Sequence, residues 1–131
     1  MITTDMNQWV VLIVDDEPDN VGVAQKVLSF NGADVHVARN GIEGLNMLNS
    51  VQPTFILLDL SMPEMDGWEM FELVRANENL SDVPIIALTA HAMSGDREKI
   101  MDAGFDGYIA KPFRIDSFLD DIQQALAKFN T

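Results

Sequence analysis

The sequence predicts a doubly wound α/β fold, an open parallel sheet covered by helices on both faces. Short apolar, β-branched runs alternate with segments of helical spacing five times over 131 residues. The runs at 9–14, 55–58 and 84–88 are apolar at successive positions, as expected of parallel strands buried on both sides rather than on one. Nearly every run stops at a polar or charged residue.

The elements follow in order. Trp9-Val10-Val11-Leu12-Ile13-Val14 is a central strand ending in Asp15-Asp16-Glu17, and Pro18 suits the first turn of a helix. Val21, Ala24, Val27 and Leu28 share a helical face, closed by Asn31-Gly32. Val35 and Val37 alternate with polar neighbours in a half-exposed edge strand over 34–38. A helix over 41–50 carries Ile42, Leu45 and Leu48 on one face until Gln52-Pro53. Phe55-Ile56-Leu57-Leu58 then runs straight into Asp59, and Pro63 ends regular pairing. In the segment 68–76, Phe71, Leu73 and Val74 are the core candidates, and 77–82 is a polar connection. A fourth strand over 84–89 ends at Thr89. Ser94-Gly95-Asp96 opens a helix containing Ile100 and Met101, closed by Gly104. Gly107-Tyr108-Ile109-Ala110 is a short fifth strand leading to Lys111-Pro112. The last helix carries the stripe Ile115, Phe118, Leu119, Ile122, Ala125, Leu126 and Phe129, with Asp116 early and Lys128 late, as the helix dipole favours.

Length and 47% hydrophobic residues fit one domain over 9–131 preceded by a flexible tail over 1–8. Absence of Cys excludes disulfides, thiolate metal sites and a cysteine nucleophile. Neither a secretory leader nor a membrane-length apolar run is present, so a soluble, cytoplasmic location is expected. Twenty-one acidic against eight basic residues, a formal charge of -13, oppose binding to nucleic acid or anionic membranes.

In a parallel sheet the carboxyl ends of the strands form one rim, where ligands bind. Here that rim presents Asp15, Asp16, Asp59, Thr89 and Lys111. Like charges about 4 Å apart cost roughly 4 kcal/mol at an effective dielectric near 20, so three carboxylates call for a cation. Oxygen ligands without His or Cys favour Mg2+ or Mn2+, which commonly await a phosphate. The chemistry that follows is attack by a carboxylate nucleophile, with Lys111 as a point charge and Thr89 as a hydroxyl donor to phosphoryl oxygens. Each residue also has an ordinary reading: a solvated helix turn for Asp15 and Asp16, a turn former or cap for Asp59, a strand end for Thr89, a surface amine for Lys111. Their joint placement at four strand ends argues for the set.

With these residues assembled, the chain resembles the receiver domain of two-component response regulators, of the stand-alone chemotaxis-regulator type, over residues 9–129. The resemblance rests on Val14-Asp15-Asp16-Glu17-Pro18, on Leu58-Asp59-Leu60-Ser61-Met62-Pro63-Glu64-Met65-Asp66-Gly67, on Leu88-Thr89-Ala90 and on Lys111-Pro112-Phe113. It implies a flavodoxin-like strand order 2-1-3-4-5 and a phosphoacceptor Asp59, charged by the phosphohistidine of a sensor histidine kinase or phosphotransfer protein, or by acetyl phosphate. It further implies Mg2+ held directly by Asp16 and Asp59, through the backbone carbonyl of Ser61, and by Asp15 mainly through water. Lys111 would pair with the acyl phosphate, the Lys111–Pro112 bond would be cis, and Thr89 and Tyr108 would form a switch pair. The domain would then be a signalling switch rather than an enzyme, catalysing only its own phosphorylation and dephosphorylation, and a monomer or weak phosphorylation-dependent dimer. With no output domain after Phe129, the signal would pass to a separate effector through the last two helices and fifth strand.

A phosphatase of the haloacid dehalogenase class also uses a strand-end Asp with Mg2+, but needs a second Asp where this chain has Ser61. A degenerate, binding-only receiver is disfavoured because all five site residues are present. The two histidines, His36 and His91, lie too far apart in the pattern for a metal site, although His91 falls close enough to Thr89 to line the rim. Asp66-Gly67 reads as a turn, Met62, Met65 and Met93 as loop packing, Tyr108 alternatively as a half-buried strand aromatic, and Arg114 as a poor start to the last helix.

Overall fold

In the computed structural model, which describes residues 5–62, 64–90 and 94–129, the apolar runs become the strands β1 (Val10–Val14), β2 (Asp34–Ala38), β3 (Phe55–Asp59), β4 (Ile85–Thr89) and β5 (Gly107–Ala110). Between and after them lie α1 (Pro18–Phe30), α2 (Gly41–Met47), α3 (Gly67–Ala76), α4 (Ser94–Ala103) and α5 (Phe118–Leu126). All strands pair in parallel in the order β2-β1-β3-β4-β5, the predicted flavodoxin-like arrangement. The Lys111–Pro112 peptide is cis, as expected.

Because side chains alternate across a strand, one sheet builds two cores. Val11, Ile13, Phe55, Leu57, Ile86, Leu88 and Ile109 meet Ala24 and Leu28 of α1 and Phe118, Ile122 and Leu126 of α5. Leu12, Val14, Ile56, Leu58, Ile85 and Ala87 meet Met70, Phe71 and Val74 of α3 and Ile100 of α4. The half-exposed β2 lies at the sheet edge, as its alternation predicts.

Four expectations need correction. Ile42 is 46% exposed, because α2 lies down on its glycines: a Cβ on Gly44 would come within 2.9 Å of Met70 and 3.1 Å of Val14. On α3 the buried face is Met70, Phe71 and Val74, which leaves Leu73 48% exposed. The last helix begins only at Phe118, after a turn that puts Ile115 outside it and 72% exposed. Of the predicted tail, residues 1–4 lie outside the described residues. Met6–Gln8 form a 3-10 turn, capped by the Asp5 side chain and laid on the core through Met6.

A polar knot secures the end of the sheet opposite the acidic rim. The Asp106 carboxylate accepts from the Ile85 N–H at 2.8 Å and from Arg75 Nη2 at 3.0 Å, and lies 3.1 Å from Lys128 Nζ. Arg75 also donates to the Val83 carbonyl at 2.7 Å and covers the Phe71 ring, itself stacked on Phe105. Leaving a buried donor unpaired costs about 1–3 kcal/mol. Asp106→Ala is therefore expected to lower unfolding stability by roughly 2–3 kcal/mol, read from the urea midpoint; a loss below about 0.5 kcal/mol would mean that water serves the Ile85 amide equally well.

Candidate functional site

Parallel register delivers the site. Val14 pairs with Leu58, so Asp15 and Asp59 leave adjacent strands one step past the apolar ladder. Asp59 pairs with Leu88 and Thr89 with Ala110, so Thr89 and Lys111 follow on the next strands of the same rim. The Lys111 N–H donates to the Thr89 carbonyl at 2.8 Å, fixing where the lysine leaves the sheet. α3 starts against the same place: a Cβ on Gly67 would collide with the Asp59 carbonyl oxygen, which demands glycine there. Asp66, expected only as a turn former, caps this helix by accepting from the Glu69 N–H at 2.9 Å.

Asp15 and Asp59 are only 1% and 3% exposed, while Asp16 is open to solvent. One oxygen of each buried carboxylate is held by backbone: Asp15 Oδ1 by the Glu17 N–H at 2.9 Å, Asp59 Oδ1 by the Ser61 N–H at 3.2 Å. The other oxygens face the same ammonium. Lys111 Nζ lies 3.0 Å from Asp15 Oδ2 and 3.1 Å from Asp59 Oδ2, with Glu17 at 3.8 Å. Both Oδ2 atoms are buried, and the contact each makes is the ion pair to this one shared ammonium.

Burial raises the Asp59 carboxyl to about 6, with Asp15 adding to the rise and the Ser61 amide and Lys111 opposing it. Burial alone would lower the Lys111 ammonium, but Asp15 and Asp59 outweigh it and hold the group above its ordinary value. One lysine against Asp15, Asp16 and Asp59 leaves a net deficit of positive charge. Each of these three carboxylates offers an oxygen within 4.8 Å of the others. Hard donors, two of them buried and short of partners, fit a divalent cation.

Sequence reasoning placed Asp15, Asp16, Asp59, Thr89 and Lys111 at this rim, and the fold brings them there. Ser61 and Thr89 line a cavity of about 410 Å3 beside the acidic cluster, together with Trp68, Asp96 and Lys99. Tyr108 lies further along, half-buried on β5, with the Arg97 guanidinium 5.3 Å above its ring. Arg97, Lys99 and Glu17 were missed, since an isolated charge on a helix or loop carries no spacing signal. Met62 and Met65 pack on the second core; Pro63, His91 and Met93 lie outside the described residues, and His36 pairs instead with Asp34 at 3.1 Å.

Fold and site together define a small doubly wound α/β protein with a divalent-cation type of acidic centre at its strand ends. Residues 11–123 match the response regulator receiver domain, and the chain belongs to that family, whose members act in phosphorylation-dependent signalling. It is 34% identical over 116 residues to the polar-differentiation response regulator DivK of Brucella anthropi, covering 88% of this chain and 94% of that one. The structure is similar to chemotaxis response regulator CheY4 of Vibrio cholerae, with a TM-score of 0.84 at 28% identity, covering 90% of this chain and 98% of that one. It is similar also to the receiver domain of sensor histidine kinase PA1611 from Pseudomonas aeruginosa, solved with a magnesium ion coordinated in its active-site cleft. There the TM-score is 0.80 at 35% identity, covering 91% and 98% of the two chains.

Because the Asp59 carboxyl titrates near 6 when folded and near 3.8 as a free side chain, folding holds its proton more tightly. Stability from this group is therefore lost as pH rises from about 4 to 6, by roughly 3 kcal/mol at 1.36 kcal/mol per pH unit. In EDTA at pH 7.5, Asp59→Asn is expected to raise unfolding stability by about 2–3 kcal/mol, a gain that vanishes near pH 4. Urea melts at both pH values check this; an equal effect at both would contradict it.

Proposed function

We propose that Asp59 is the phosphoacceptor of a signalling switch, charged by a histidine kinase or phosphotransfer protein or by a small donor such as acetyl phosphate. The observation that carries this reading is the pair of buried Asp15 and Asp59 oxygens converging on Lys111 at 3.0 and 3.1 Å. One Asp59 oxygen forms a bond to phosphorus while the donor's P–N or P–O bond breaks, and the leaving imidazole or acetate departs with the electron pair. With its carboxyl at about 6, Asp59 is mostly ionised near neutral pH and available as nucleophile.

Asp16 and Asp59 would hold Mg2+ (or Mn2+) directly, the Ser61 backbone carbonyl would complete the protein ligands, and Asp15 would act mainly through water. The ion supplies charge neutralisation at the phosphoryl oxygens. Lys111 is already aimed at Asp59 and needs only to exchange a carboxylate oxygen for a phosphoryl oxygen. The Thr89 hydroxyl and the Tyr108 ring are the switch pair that carries the change to the face of α4, β5 and α5. A separate effector reads that face. Among the described residues no helix is long and apolar enough to cross a membrane, and a charge of -13 disfavours nucleic acid. The protein works in the cytoplasm and turns over no substrate beyond its own phosphoryl group.

Acetyl phosphate with Mg2+ is expected to add one phosphoryl group to the intact mass, and none to Asp59→Asn. Equal gain in the variant would refute the assignment. Millimolar Mg2+ is expected to raise the melting temperature by mass action, with most of the rise lost in Asp16→Asn; identical behaviour of the variant would remove Asp16 from the metal site.

A further inference from the structure

Tyr108 is the only tyrosine of the chain, and what holds its ring lies outside the acidic centre. The residue sits on β5 opposite Ala87, with its ring half-buried on the α4 side of the sheet. From α4, the exposed Arg97 places its guanidinium 5.3 Å from the ring centroid. Both residues line a cavity of about 420 Å3 that also takes in Asp121 and Gln124 of α5. Arg97 thus reaches the ring, and among the described residues no ion pair joins it to the acidic cluster.

We propose that Arg97 is a positioning residue, a cation–π clamp that holds the Tyr108 ring at the cavity between α4 and α5 and so sets how rarely the unphosphorylated protein visits its active arrangement. This rests on the reading of Tyr108 as part of the switch. A ligand or modification shifts a two-state equilibrium only by its differential interaction with the two states. The clamp exists only while the ring stays under the guanidinium, so it favours the arrangement seen in the unphosphorylated chain over any in which the ring turns away. When the ring turns away the contact is lost.

The magnitude follows from the exposure of the arginine. An exposed cation–π contact is worth about 0.5–1 kcal/mol, which at 1.4 kcal/mol per factor of ten corresponds to a two- to fivefold change in population. If phosphorylation proceeds through the minor state, its rate scales with that population. Loss of the clamp then raises the rate by the same factor. Loss of the positive charge alone has the opposite sign, since removing a cation from a chain of formal charge -13 weakens its attraction for an anionic donor. The direction of the change thus separates the two effects.

The test uses the full chain, with acetyl phosphate and Mg2+ and the rate of phosphoryl uptake followed by intact mass. Arg97→Ala is expected to be two- to fivefold faster than wild type, and Arg97→Lys to lie between them. In a Tyr108→Ala background, Arg97→Ala should no longer accelerate uptake. Ring 13C-labelled tyrosine gives a single site to follow by NMR, and its resonance should move on phosphorylation. An unmoved tyrosine signal on phosphorylation would defeat the switch reading itself. A signal that moves, with Arg97→Ala uptake unchanged or slower, would overturn the clamp alone. Equal acceleration in both tyrosine backgrounds would overturn it too, by showing that Arg97 acts elsewhere.

Discussion

One buried ammonium faces too many carboxylates, and the functional end of the molecule is organised by that imbalance. Lys111 reaches Asp15 and Asp59 at nearly equal distance, so it keeps two acids together without neutralising both. Repulsion of this kind is worth several kcal/mol where water is scarce. Burial first, and repulsion from Asp15 second, leave an Asp59 carboxyl that holds its proton more tightly than a free one. A fully compensated cluster would offer a divalent cation no advantage.

The rest of the fold makes this imbalance tolerable. The three central strands β1, β3 and β4 are buried on both sides, giving two cores whose combined apolar packing can carry a destabilised rim. At the opposite end, Asp106 is satisfied three times over, by an amide, an arginine and a lysine. The two ends thus use the same residue type in opposite ways, one to close the sheet and one to gather incompletely compensated charge. Glycines occur where backbone must approach backbone or a helix: Gly67 under Asp59, and Gly107 where a Cβ would come within 2.6 Å of Ala125. These approaches tie α3 to the end of β3 and α5 to β5.

Much of the architecture was legible because continuous apolar runs, alternation at the edge and strand-end polarity are local properties. The five strands, their helices, the αL glycine after α1 and the edge position of β2 all follow from short windows. Misreadings arose where a helix chose between two apolar faces. Leu73 is as hydrophobic as the residues buried in its place, and Ile42 far more so than the glycines that take the inner face; only the close approach of Gly41 and Gly44 to the loop and sheet, or of Met70 and Phe71 to the sheet, decides which side is inside. Ile115 was misplaced because the helical period continues through a segment that is in fact a turn.

By itself, the sequence determined the class of fold and the identity of the five residues at the rim, since a run of apolar residues ending in a charged one already states where a strand stops. Tertiary structure decided what those residues do to one another: that Lys111 divides itself between two carboxylates, that Asp16 alone faces water, that Arg97 lies on Tyr108. Distances across strands and between a helix and a sheet depend on register and packing contributed by residues far apart in the chain, and no local pattern encodes them.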